Sequence, residues 1–278
     1  MKNQRISFVD LHTHTVFSDG LFTPEEVVER AKEVGLTAIA ITDHDSVDGI
    51  DRAKLTGKKL QIEVVPGVEM SCSVNGTDVH ILGYYFDYQN SAVKKFFARL
   101  RESRLERAAK MVNRLAELGV KVSFSRVKEL AGAGAVGRPH LAQAMVEARA
   151  VSSVSEAFVR YIGYDGPAYF PKMRLTPLEV ISFIHQNDGV AVIAHPGTYG
   201  NDDLLYTVLA AGVDGIEVWH PEHNQRAVEH YLEIAEKNRL LITGGSDCHG
   251  GFKFGKVYLG EVRLPYRYLA ALKHRANR

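Results

Sequence analysis

With 278 residues, 45% of them hydrophobic and 24% charged, the chain is large enough to bury a core without disulfide staples. A net charge of +1 excludes the broad positive field of a protein that coats nucleic-acid duplexes, though not a local pocket for a nucleotide. No apolar run approaches the roughly 20 residues that cross a bilayer, and the N-terminus lacks the apolar stretch of a secretion signal, so a cytoplasmic protein is expected, with Cys72 and Cys248 as free thiols.

In chain order, Ser7–Leu11 is a β-rich run. Thr23-Pro24-Glu25-Glu26 then reads as a capping box opening a helix that ends near Gly35. Thr37–Thr42 is a buried strand, Val47–Lys59 a helix, and Ile62–Val65 and Val79–Tyr84 are further strands. From about Ala92 to Gly163 strand signals vanish. A long charged helix over Lys94–Leu118 is followed by shorter ones near Phe124–Ala131, Pro139–Ala148 and Val154–Ile162. The alternation then resumes: helix Leu178–Gln186 behind a second capping signature at Thr176, strand Val190–Ala194, helix Asp203–Ala211, strand Gly215–Trp219, helix Gln225–Lys237 and strand Leu240–Thr243. Strands alternating with helices predict an α/β fold with a mostly parallel sheet or barrel. The composition shift predicts a discontinuous barrel domain over 1–93 and 166–278, carrying a helical insertion over 94–165 as a lid or cap.

Histidines and carboxylates gather at the predicted strand ends. His12, His14 and Asp19 follow the first strand, Asp43 and His44 the second, and Glu69 the third; His80 lies in DVHILGY, His195 follows VAVIA, and Asp247 and His249 follow LLITGG. In a parallel barrel such ends converge on one rim. Residues i and i+2 of an extended chain share a face, so His12-x-His14 and Asp247-x-His249 can each aim two groups at one point. Neutral imidazole and carboxylate bind divalent Zn, Mn or Fe at about 2.0–2.2 Å. Nine such groups exceed one ion's needs and suit three ions sharing a carboxylate.

The successive motifs DLHTHTVFSDG, ITDHD, GVEMS, DVHILGYYF, AHPG and SDCHG resemble those of the polymerase-and-histidinol-phosphatase (PHP) superfamily, in order and over nearly the whole chain outside the insertion. The resemblance implies a distorted (β/α)7 barrel with two to three divalent ions, Mn favoured over Fe or Zn. It implies one ion held by His12, His14, Glu69 and Asp247, a second by Glu69, His80 and His195, and a third by Asp19, His44 and His249. The insertion, with GRPH at Gly137–His140, is similar to that of stand-alone members acting on nucleoside 3′,5′-bisphosphates and short 5′-phosphorylated oligoribonucleotides. The expected activity is therefore phosphate-ester hydrolysis by a metal-bridging hydroxide. The expected partner is a small nucleotide or short oligoribonucleotide, with no duplex nucleic acid and no membrane; the sequence carries no signal of oligomeric state.

Around that cluster, Asp43 is expected to orient a ligand or the attacking water. Arg138 is the expected phosphate fork, with capping of the helix behind it as the alternative. His140 is read equally as a contact to the leaving group or as packing. His220 and His223, in the HPxH element after Gly215–Trp219, are candidates to protonate the leaving oxygen, against a polar turn. Ser71 and Lys172 are candidates for phosphate contact. His185, His230 and His274 are read as structural or solvent-facing. Arg99, Arg101, Arg104 and Arg107 interleave with Glu102 and Glu106 at helical spacing and are read as a solvated, ion-paired face. Competing readings are histidinol-phosphate phosphatase, a metal-binding scaffold without catalysis, and hydrolysis at carbon rather than phosphorus.

Overall fold

The computed structural model describes residues 7–132, 134–171, 173, 175–251 and 257–277. Three parallel strands, β1 (Phe8–Asp10), β2 (Ala38–Ile41) and β3 (Glu63–Val74), alternate with helices α1 (Pro24–Glu33) and α2 (Ile50–Leu60). The capping box expected at Thr23 is formed with Glu26. Strand β4 (Thr77–Tyr84) returns antiparallel to β3 through Asn75-Gly76, whose φ values of 50° and 89° are those of a two-residue hairpin turn. Strand β5 (Val190–Ile193) pairs antiparallel with β4, and β6 (Gly215–Trp219) and β7 (Leu241–Gly244) continue in parallel. The order is β7-β6-β5-β4-β3-β2-β1-β8, where β8 (Leu264–Pro265) adds two residues antiparallel to β1. The sheet nearly closes on itself. The Leu11 N–H donates to Gly244 O at 3.1 Å, and Thr13 bridges Cys248 in parallel.

Period-two alternation sorts each strand between two cores. Val9, Leu11, Ala38, Ala40, Val65, Leu82, Tyr84, Val190 and Val192 fill the barrel, which α10 (Tyr266–Ala276) plugs with Leu269 and Leu272. Their neighbours Ile39, Ile41, Val68, Met70, Ile81, Ile193 and Ile216 face the outer helices, including α7 (Pro177–Gln186), α8 (Asp202–Ala210) and α9 (Gln225–Asn238). The parity that sends Val65, Leu82 and Tyr84 inward also sends Glu69, His80 and Glu217 inward.

Two expectations change here. Glu69 stands within a twelve-residue strand rather than after a short one. Pro66-Gly67 looks like a strand end, but Pro66 sits opposite Ile41, where β2 stops, so the missing N–H is tolerated. His80 occupies the start of its strand because β4 runs against its neighbours, which brings that start to the rim where the parallel strands end.

The insertion begins with α3 (Ser91–Glu117). Val93, Phe97 and Leu100 pack on the outer barrel core, whereas Met111, Val112 and Leu115 join a separate core with Val127, Leu141, Met145 and Ile162. That core draws on α4 (Phe124–Ala131), α5 (Arg138–Glu147) and α6 (Val154–Ala157), the last continued by a π-type turn over Phe158–Ile162. Gly134 seats this body on the loop after His14. A Cβ there would lie 2.6 Å from Val16 O, and the Ala135 N–H donates to Phe17 O.

Candidate metal centre

The parallel bridge between Thr13 and Cys248 places the i and i+2 pairs that flank it side by side. His12 Nε2 and His14 Nε2 lie 3.5 and 3.1 Å from Asp247 Oδ1, and the rings of His14 and His249 stack at 4.1 Å. A second parallel bridge, His44 to Glu69, brings in the second strand. Glu69 is the hub. Its Oε2 is 3.2 Å from His12 Nε2, His14 Nε2 and His44 Nδ1, while its Oε1 is 2.8 Å from His80 Nδ1 and 2.9 Å from His195 Nε2. His249 Nε2 approaches Asp19 Oδ1 at 3.3 Å. All nine expected groups thus converge on one mouth of the barrel.

Eight of the nine fall into three overlapping sets of donor atoms, each within 4.8 Å: His12, His14, Glu69 and Asp247; His44, Glu69 and His80; and His14, Asp19, His44 and His249. His195, expected with Glu69 and His80, is in none of them and reaches the cluster through its contact with Glu69. The first equals the set implied by the resemblance. In the others His14 joins Asp19, and His44 shares Glu69 with His80. The chemistry of the set fits divalent cations. His14 Nε2, Asp19 Oδ1 and His44 Nδ1 are buried and have no hydrogen-bond partner among the described residues. Lone pairs directed at one another in a dry site repel unless a cation lies between them. Burial disfavours charge on Glu69, yet His44, His80 and His12 outweigh it and hold the carboxyl well below its usual range. Burial opposes charge on His14, yet Asp247 and Glu69 draw a proton to it, up to about 10, a demand for positive charge that a cation would meet in the proton's place. Cys248 turns away into the outer core, so the set is nitrogen and oxygen only. Two of the groups sit on left-handed backbone, His195 at φ 27° and Asp247 at φ 48°, a conformation uncommon outside glycine and concentrated at functional sites.

Supporting groups surround the cluster. Asp43 accepts from the Thr15 N–H, the Thr15 hydroxyl and the Ser18 hydroxyl, each at 2.7 Å, and the Ser18 oxygen lies 3.4 Å from His14 Nδ1. Asp43 therefore orders the loop behind His14. Glu217, a carboxylate not anticipated from the sequence, is fully buried on β6 with its oxygens 3.1 and 3.2 Å from His12 Nδ1. Its signal was an acidic residue inside the apolar run GIEVW.

Several expectations about substrate groups are revised. His223 donates from Nδ1 to Val218 O at 2.8 Å and accepts the Gly197 N–H at Nε2, 3.0 Å, so both nitrogens serve the backbone and the proton-donor role falls. His220 is buried behind Asp247, with Nε2 3.4 Å from its Oδ2, and does not line the cavity. His140, read as a leaving-group contact or as packing, is buried and accepts the Gly137 N–H at Nδ1, a capping role that neither reading included. Ser71 accepts from Arg104 Nη2 at 3.2 Å and lies outside the main cavity. Lys172 falls outside the described residues.

The largest correction concerns α3. Arg104 and Arg107 are 8% and 7% exposed, not a solvated face. Both line, with Arg138, a cavity of about 670 Å³ whose wall also holds Asp19, His44, Glu69, His80, His195, Asp247 and His249. Arg104 pairs through Nε and Nη2 with Asp45. Arg107 donates from Nε to Phe170 O, while its buried Nη2 has no partner among the described residues. Arg138 lies over the rings of Tyr164, Phe158 and Tyr169. The missed signal was position: Val93, Phe97, Leu100, Arg104, Arg107, Met111 and Leu115 form one buried stripe at steps of three and four.

The PHP domain model matches residues 10–243, and the chain belongs to that family. It is 32% identical over 247 residues to the 5'-3' exoribonuclease Rnm of Escherichia coli K12, covering 86% of this chain and 84% of that protein. It is 32% identical over 260 residues to a phosphoribosyl 1,2-cyclic phosphate 1,2-diphosphodiesterase of Eggerthella lenta, covering 92% and 98%. It is 31% identical over 254 residues to a 3',5'-nucleoside bisphosphate phosphatase of Chromobacterium violaceum, covering 89% of each. A crystal structure of a metal-dependent phosphoesterase from Bifidobacterium adolescentis superposes with a TM-score of 0.87 at 34% identity, covering 97% and 96%. With this fold and donor cluster, the chain is a metal-dependent phosphoesterase.

Proposed function

We propose that the enzyme hydrolyses a phosphate ester of a small nucleotide. The leading substrate is a nucleoside 3′,5′-bisphosphate losing its 3′-phosphate, with trimming of short 5′-phosphorylated oligoribonucleotides at the same site. One observation carries this reading: a single cavity of about 670 Å³ joins the donor cluster to the guanidinium groups of Arg104, Arg107 and Arg138. That volume suits a small-molecule ligand. A reacting phosphate at the cluster leaves the arginines for a second, non-reacting one. The names of the Chromobacterium and Escherichia relatives support the same substrate class.

Two to three divalent ions are proposed at the cluster, because the donors are imidazole and carboxylate without thiolate, a set open to Mn, Fe and Zn, with Mn put first on the family resemblance. Such ions would lower the pKa of bound water and neutralise charge on the phosphate. The protein's own contribution is binding and shielding. Arg107 and Arg138 hold phosphate oxygens through charge-assisted hydrogen bonds, Phe158 and Tyr164 offer aromatic surface to the base, and the insertion over 94–165 caps the site against water. Asp43 and His220 position His14 and Asp247.

The test is substrate competition with Mn-loaded enzyme. The kcat/KM for a nucleoside 3′,5′-bisphosphate should exceed that for the matching 3′-monophosphate by roughly 10- to 150-fold, the equivalent of one charge-assisted hydrogen bond. Preference for histidinol phosphate or for a 1,2-cyclic phosphate would overturn the assignment.

A further inference from the structure

Strand β6 and the loop after it send no atom into the three donor sets, yet their buried polar groups touch members of the cluster. Glu217 has the densest role. Its Oε1 and Oε2 lie 3.1 and 3.2 Å from His12 Nδ1, and its Oε2 also accepts the backbone N–H of His195 at 2.7 Å. His12 and His195 approach Glu69 from opposite oxygens, through Nε2 in both cases. His195 holds its φ of 27° at the point where β5 gives way to the short 3₁₀ turn Pro196–Tyr199, so its N–H has left the ladder and needs another acceptor.

We infer that Glu217 is a positioning residue that holds His12 as the Nδ1–H tautomer and anchors the left-handed backbone of His195, so that both Nε2 lone pairs meet at Glu69. The physical basis is acceptor count. An imidazole whose Nδ1 donates to a carboxylate presents an unprotonated Nε2, which is what ligation requires. Two donors, His12 Nδ1–H and His195 N–H, converge on one side chain, and only a carboxylate offers acceptor oxygens on both arms. A glutamine of the same shape has one oxygen. Either its NH₂ faces the His195 N–H, or its oxygen takes the Oε2 place, still within reach of both donors, and puts the NH₂ 3.1 Å from His12 Nδ1, where its hydrogens oppose the Nδ1–H and favour the tautomer whose Nε2 cannot bind an ion. This inference rests on the cluster being a metal centre.

The test compares wild type with Glu217→Gln by chelator competition for Mn and by elemental analysis. A substitution of this kind should weaken Mn binding roughly 10- to 100-fold and lower the ion count at limiting metal, while circular dichroism and a cooperative melt show the metal-free variant folded. Wild type that binds Mn, with a Gln variant that binds it equally, overturns the inference alone. Wild type that binds no ion overturns the metal-centre reading and this inference with it. Should the variant not fold, the wild-type protein decides the matter. Loaded with Zn and labelled with ¹⁵N, His12 should show its proton on Nδ1; a proton on Nε2 overturns the assignment.

Discussion

Arg107→Met separates binding from stability, because the arginine's site suits an anion better than it suits the fold. Burial, and then the neighbouring Arg138 and Arg104, push its guanidinium down to about 10. That shift corresponds to about 3 kcal/mol against the charged form. The folded value lies below the unfolded one, so the penalty applies in full below pH 10 and disappears only above the unfolded value. Methionine fills similar volume without charge but loses the 2.6 Å bond from Nε to Phe170 O, worth about 1.5–3 kcal/mol. The two effects nearly cancel, so stability should change by 0 to about +2 kcal/mol, and at about 2–4 °C per kcal/mol for a chain this long the melting temperature should hold or rise. Substrate binding should suffer instead. Loss of one charge-assisted hydrogen bond to a non-reacting phosphate lowers kcat/KM roughly 10- to 150-fold, expressed mainly in KM. Differential scanning fluorimetry of the metal-free protein and steady-state kinetics with a nucleoside bisphosphate read the two halves. A variant that melts several degrees lower with unchanged KM would refute the anion-site reading and make Arg107 a structural group.

Three further outcomes are expected. Gly245→Ala would put a Cβ 2.3 Å from His12 Cβ, so the variant should bind fewer Mn ions per chain by elemental analysis and lose about 1–3 kcal/mol; full occupancy would mean the rim is more compliant than its packing implies. His223→Leu leaves the buried Val218 O unpaired at about 1–3 kcal/mol and takes the acceptor from the exposed Gly197 N–H, so the melting temperature should drop while the shape of the pH–rate profile stays; loss of one limb would restore His223 as a proton donor. Exhaustive chelation should lower the melting temperature, and a thousandfold excess of Mn over its Kd should restore about 4 kcal/mol; a melt indifferent to both would contradict the metal centre.

The strands, most helices and the nine converging groups were legible in the sequence because they depend on local patterns. Period-two runs mark the strands, Thr-Pro-x-Glu marks helix starts, and histidines and carboxylates stand where parallel strands end. What escaped notice depends on partners distant in sequence. Glu217 reads as an anomaly in GIEVW until His12, 205 positions earlier, supplies its reason. His223 looks like a free imidazole until the fold brings Gly197 and Val218 to its two nitrogens.

Arg104 and Arg107 are more instructive. Glu102 and Glu106 do stand at helical spacing from the arginines in sequence, but charge spacing cannot say which face is buried, whereas the stripe from Val93 to Leu115 can. Two arginines on a buried stripe conflict with burial energetics unless something compensates them. Asp45 compensates Arg104. Arg107 has the Phe170 carbonyl on one nitrogen and an open cavity beside the other. A helix that spans both cores therefore carries its cations at the junction between them, where the cavity opens onto the donor cluster. The polar residues that break the apolar pattern of this chain, Glu69, His80, Glu217, Arg104 and Arg107, are those the proposed chemistry would use. A conflict between local pattern and burial is thus the most direct pointer to function in this fold.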